Sequence, residues 1–100
     1  MINKWELSGE IVRIREHVMY DLGATIIVRG SSARPEYGTT QIVELPVFVS
    51  PKSWKELTEK KVKLFDKVYA EGQMETSITE TSGGNIRQKI NFYAHTIRLI

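Results

Sequence analysis

Cysteine is absent from the 100 residues, so neither a disulfide nor thiolate chemistry is open to this chain. Histidine is scarce: His17 and His95 are the only two, they lie far apart, and no carboxylate stands at ligand spacing around either, which argues against a metal site. Both read as ordinary surface or hydrogen-bonded histidines rather than as bases. No stretch approaches the roughly 20 consecutive apolar residues of a membrane-spanning helix. Asn3, Lys4 and Glu6 occupy the place where a signal peptide would have its apolar core, so the expected location is the cytoplasm. Low complexity, a heptad pattern and internal repeats are all missing. So are a nucleophile elbow, a phosphate loop and paired catalytic carboxylates, and the expectation is a protein that is not an enzyme and holds no cofactor.

What is present describes one small domain over residues 1–100. Hydrophobic residues make up 41% and charged residues 26%, ordinary globular proportions, and a chain of this length buries about 60 to 65% of its extended surface, enough for one core. The net charge of +2 is unevenly spread. Residues 1–50 carry five Lys/Arg against six Asp/Glu and residues 51–100 carry nine against six, giving −1 and +3. This permits a polyanionic partner without requiring one.

The strongest local signal is in the last third. Lys67 to Thr81 and Ile86 to Ile100 are rich in Val, Ile, Thr, Tyr and Phe and flank Ser82-Gly83-Gly84-Asn85, so they predict two long strands joined by a tight hairpin with positive φ angles at the glycines. In the second strand Ile86, Gln88, Ile90, Phe92 and Ala94 point one way and Arg87, Lys89, Asn91, Tyr93 and His95 the other. The second face interleaves cations with a ring. It is either a solvated outer face or a place for a ligand.

Earlier in the chain, Lys4 to Glu16 predicts a first strand with Trp5, Leu7, Gly9 and Ile11 on one side; past the glycine the apolar side shifts to Val12 and Ile14, as a β-bulge would cause. Glu16 to Gly23 reads as a connection turning at Asp21-Leu22-Gly23, Ala24 to Gly30 as a second strand, and Ser31 to Thr40 as an exposed hairpin loop carrying Arg34 and Tyr37. Thr40 to Ser50 predicts a third strand with Val43, Leu45, Val47 and Val49 inward and Ile42, Glu44, Pro46 and Phe48 outward. Pro46 puts it at an edge or bulge, and an outward Phe48 is either a stacking platform or an oligomer contact. A single helix is expected over Lys52 to Lys61, started by Ser50 and Pro51 or by a Ser53/Glu56 capping box, with Trp54 and Leu57 buried and Lys60, Lys61 and Lys63 suited to the negative pole of its dipole. The order β-β-β-α-β-β predicts an all-β protein with one short helix, a five-stranded OB-fold barrel plugged by that helix.

Asn3-Lys4, Leu7, Gly9 and Ile11, then Gly23-Ala24, then Lys67-Val68-Tyr69-Ala70-Glu71-Gly72-Gln73 with Thr76 and the Gly83-Gly84 turn resemble bacterial and phage single-stranded DNA-binding proteins of the OB type. Leu45-Pro46-Val47-Phe48-Val49-Ser50 looks particularly like primosomal replication protein B, a short relative in that family. The resemblance implies a homodimer or homotetramer that binds single-stranded DNA without sequence preference, works in replication, recombination or repair, and contacts other replication proteins. It places Phe48 where the family has a stacking phenylalanine. Ile42 falls where a stacking tryptophan is expected, and Glu75, Ser77 and Ile78 or Thr79 stand where the family has basic residues and another tryptophan. Phe48, Tyr37, Arg34, Arg29, Arg87, Lys89 and Tyr93 form the candidate nucleic-acid surface, with phosphates drawn to the cations and bases stacked on the rings. The alternative is an OB-fold oligomerisation or protein-interaction module with weak or no nucleic-acid binding, its Phe48, Ile42 and Tyr93 buried at an interface.

Overall fold

A computed structural model describes residues 2–17, 23–34 and 38–100, the side chains at 32–34 and 39–40 excepted. Strands β1 (Trp5–Glu16), β2 (Ala24–Arg34) and β3 (Thr39–Val49), helix α1 (Pro51–Glu59) and strands β4 (Lys67–Glu80) and β5 (Ile86–Leu99) follow in the expected order. The strands close into a barrel in the sequence β1-β2-β3-β5-β4, with β4 returning to β1. This is the five-stranded OB barrel that the element order predicts. Among the described residues no helix is long and apolar enough to cross a membrane.

One strand closes the barrel by serving two neighbours. The first half of β1 pairs with β4, from Trp5↔Gly72 to Glu10↔Lys67, and its second half pairs with β2, from Glu10↔Arg29 to Glu16↔Ala24. The register shifts between Ile11 and Arg13, which puts the bulge at Val12, past the glycine as the apolar pattern predicts. Gly9 marks a close backbone approach, as a mid-strand glycine suggests. A Cβ there would overlap the carbonyl oxygen of Arg29, so the glycine lets β1 and β2 cross closely. The shift turns Ile14 onto the core on the other parity, as the apolar pattern demands.

Ile11, Ile26, Val28, Val47 and Val68 are fully buried at 0% exposure, each contributing on the order of 1.5–3 kcal/mol of transfer free energy. Trp5 joins them, its indole N–H donating to the Gln73 carbonyl at 3.0 Å and its ring meeting Phe92 edge-on at 5.9 Å. Leu57 of α1, 3% exposed, enters the same core with Trp54 and Val62 packed around it.

Ser50 is the N-cap, its Oγ accepting from Ser53 N at 3.3 Å, with Pro51 at the first helical position. The helix ends at Glu59, two residues before the expected Lys61. Lys61 takes φ 58, its N–H bonds the Thr58 carbonyl at 2.9 Å and Val62 N–H bonds the Leu57 carbonyl at 3.1 Å, a Schellman stop closed by the Val62 and Leu57 side chains. Lys60 and Lys61 therefore stand beyond the last turn rather than in it.

Other differences from the sequence reading have simple causes. Ser31 to Thr40 is largely sheet rather than loop, because β2 and β3 stay paired out to Arg34↔Thr39. At the last hairpin only Gly84 has a positive φ, 78°, and Thr81 N–H to Asn85 O at 2.7 Å closes the turn. The Asp21-Leu22-Gly23 turn lies largely outside the described residues. Pro46 occupies the expected edge: β3 borders β2 along its length but meets β5 only at Val47↔Phe92 and Phe48↔Tyr93, a parallel contact of two rungs.

Candidate nucleic-acid interface

The two-rung contact between β3 and β5 sets the candidate site. Val47 and Val49 turn into the core, so alternation turns Phe48 outward; Phe92 packs inward against Trp5, so Tyr93 also points out. Directly opposed across the seam, the two rings stack with centroids 5.1 Å apart and planes inclined by 24°. Phe48 is half-buried and Tyr93 is 36% exposed, so the pair is open on the outer wall of the barrel.

Gly72 makes this geometry possible. In β5 the register slips between Glu71↔Thr96 and Gly72↔Ala94, leaving His95 as the extra residue, and a Cβ on Gly72 would overlap the Tyr93 carbonyl oxygen. The slip also carries the inward side from Phe92 and Ala94 over to Ile97 and Leu99. The alternation read along Ile86 to His95 stops at this bulge.

Around the rings lies a groove of about 520 Å³ whose lining includes His17, Phe48, Glu75, Tyr93 and His95. His17 follows β1, its main-chain N–H bonded to the Gly23 carbonyl at 2.9 Å and its Nε2 paired with Thr25 Oγ1 at 2.8 Å. That holds the imidazole beside Phe48, 6.4 Å between centroids. Neither histidine stood out in the sequence. The available signal was positional: with a short β1–β2 connection, His17 falls beside Gly23 and within reach of the strand carrying Thr25.

The remaining predicted residues divide. Lys89 and Arg87 share the outward face of β5 with Tyr93, about 13 and 20 Å along the strand at roughly 3.3 Å per residue. They are exposed and make no ion pair with a described residue. Across from them stand Ser77 and Thr79, with Ile78 on the opposite face, so Thr79 is the residue that shares the candidate surface. Glu75 contributes a carboxylate next to the rings. Arg29 is not brought to them. It lies on β2 about 13 Å beyond Thr25, the partner of Phe48, and its guanidinium is engaged by Glu44 at 2.7 Å and 2.9 Å. Ile42 is 72% exposed near the far end of β3. Tyr37 and the side chain of Arg34 lie outside the described residues. The described residues hold no group of three His, Asp or Glu side chains able to bind a metal ion.

A second cluster on the outer wall joins β1, β4 and β5. Tyr69 donates to Glu71 Oε2 at 2.6 Å, the Arg98 guanidinium sits 4.4 Å over the Tyr69 ring, and Lys4 bridges Glu6 at 3.0 Å and Glu71 at 3.4 Å. The hydrogen bond pushes the Tyr69 phenol up to about 12 and holds the Glu71 carboxyl below the usual carboxylate range. These groups satisfy one another and offer a ligand little.

No protein-family model matches the chain, and no curated protein sequence matches it. Its fold is similar to that of solved structures. One is the mitochondrial single-stranded DNA-binding protein Rim1 of S. cerevisiae, at TM-score 0.61 and 22% identity over 100% of this chain and 97% of that one. Another is the Plasmodium falciparum SSB in complex with ssDNA, at TM-score 0.68 and 18% identity over 100% and 94%. At such identities the shared feature is the OB barrel, end to end.

Proposed function

We propose that this chain is a single-stranded DNA-binding protein, indifferent to sequence, that acts in the cytoplasm as a homodimer or homotetramer in replication, recombination or repair. The observation that carries the reading is the Phe48–Tyr93 stack, open to solvent where β3 and β5 meet. A base has a π-face whatever its identity, so an exposed ring pair gains about 1–3 kcal/mol per stacked base without choosing among them. Lys89 and Arg87 continue the same face along β5 and would draw the phosphates, while His17 walls the other side of the rings. The fold shared with two single-stranded DNA-binding proteins supports the reading, as does the sequence resemblance to bacterial, phage and primosomal members of that family. Arg29, tied to Glu44, contributes less than the sequence suggested, and Glu75 weakens binding rather than aiding it.

Anisotropy of a fluorescent oligo-dT tests this. Binding is expected at low salt with a steep loss as salt rises, and Phe48→Ala is expected to weaken it roughly 5- to 150-fold, the equivalent of one stacked base. No change in anisotropy at micromolar protein and low salt would remove the proposal.

One observation favours a second reading, an oligomerisation or protein-interaction module. The inward face of the hairpin continues past the barrel as Met74, Ile78, Ile86 and Ile90, which are 38%, 67%, 72% and 51% exposed. Such a stripe is suited to a protein contact. Light scattering that gives a monomer at micromolar concentration would count against it.

A further inference from the structure

Beyond the ring pair, a second groove of about 710 Å³ opens between α1 and the end of β1, lined by His17, Trp54, Lys52, Lys55 and Glu16 among others. We infer that this groove is a second subsite for the same single strand, Trp54 receiving a base and Lys52 and Lys55 the flanking phosphates. The inference rests on the function proposed above and extends it from a point to a path.

The path is continuous because one residue belongs to both grooves. His17 lines the ring groove and the helix groove alike, and its hydrogen bond to Thr25 fixes the imidazole between them. Tyr93, Phe48 and His17 thus form a row of π-surfaces with 5.1 Å and 6.4 Å between successive centroids, and the groove beyond His17 holds Trp54. Packing explains only part of that indole. Its contact with the core accounts for its buried side, yet it remains half-exposed in the groove wall. Trp5, by contrast, is 8% exposed with its N–H satisfied inside the barrel.

Charge favours a polyanion here more than at the rings. Lys52 and Lys55 are exposed, one turn apart on α1, and neither makes an ion pair with a described residue. Among the described residues of this lining, Glu16 is the one carboxylate, against two ammonium groups. In the ring groove the carboxylate of Glu75 lies close by, and the nearest free cations of β5 stand farther along the strand. A strand crossing both grooves would stack first and meet its counter-charges at the two ends, Lys89 and Arg87 on one side and Lys52 and Lys55 on the other.

The two tryptophans make the test direct. Oligo-dT of about 16 nucleotides, the upper site size of one OB fold, is titrated while anisotropy and tryptophan emission are followed together, with Trp54→Phe supplying the Trp5 background. Quenching assigned to Trp54 that tracks the anisotropy curve is expected. The double variant Lys52→Gln/Lys55→Gln should lower the slope of log K against log salt by about 1.4, since each phosphate neutralised on a single strand contributes about 0.7. Thermal melting of the double variant checks that the barrel is unchanged. Saturating anisotropy with constant Trp54 emission and an unaltered slope would overturn the second subsite and leave the ring-pair proposal standing. Absence of any anisotropy change would instead bring both down.

Discussion

The hairpin of β4 and β5 is two different structures on one pair of strands. From Lys67 to Gly72, and from Ala94 to Leu99 opposite, it is barrel wall, with Val68 and Ala70 fully buried and Ile97 and Leu99 packed behind them. From Gln73 to Glu80 and Ile86 to Ile90 it is a free ribbon, exposed at every residue. Along β4 the alternation runs unbroken through both halves. What separates them is whether a third strand lies alongside: β1 covers β4 only as far as Gly72. Periodicity reports which way a side chain points and says nothing of what lies in that direction.

Truncating one isoleucine packed beneath the wall and one on the ribbon would sharpen or break this contrast. Ile11→Ala, beneath the wall at 0% exposure, is expected to cost about 2–5 kcal/mol, read from the shift of the urea midpoint. Ile78→Ala, on the ribbon at 67% exposure, should stay within about 0.5 kcal/mol. A comparable cost at Ile78 would mean that the ribbon is covered in solution, as the protein-interaction reading requires.

Function should divide the opposite way. Replacing Arg87 and Lys89 with Gln is expected to leave the melting temperature in place and to lower the salt slope of oligo-dT binding by about 0.7 for each phosphate that is no longer neutralised. An unchanged slope would take the ribbon out of the binding surface.

The smallest effect belongs to the wall's outer cluster. Because the Tyr69 phenol is raised from 10.0 to about 12, its contribution to stability is complete below pH 10 and disappears as pH climbs toward 12. The Glu71 carboxyl is lowered, so its contribution is present above its ordinary value of 4.5 and fades as pH falls further. Thermal melts at alkaline pH should therefore show a decline that Tyr69→Phe flattens.

Much of the fold was legible in the chain itself. Strand order, the single helix, its Ser50-Pro51 start and the outward aim of Phe48 and Tyr93 all follow from local chemistry: turn residues, capping and period-two alternation. Hidden from it was whatever depends on pairing across the fold. The stacking of Phe48 on Tyr93 needs the parallel register of β3 with β5, 45 residues apart in the chain. That Arg29 is no longer an available cation needs Glu44 on the neighbouring strand, and the hydrogen bond that holds the His17 ring comes from a side chain on β2. The bulge at His95 was visible in principle, since Ile97 and Leu99 change the parity of the apolar residues just as Val12 and Ile14 do in β1.

The two-rung seam between β3 and β5 is the thinnest joint in an otherwise well-knit cylinder, and it is where breathing of the barrel should begin. Phe48 and Tyr93 sit on either lip of that joint. Anything that sandwiches against both rings at once must also hold the lips together, so occupancy and closure rise and fall as one, and a guest on the outside doubles as a rivet for the shell.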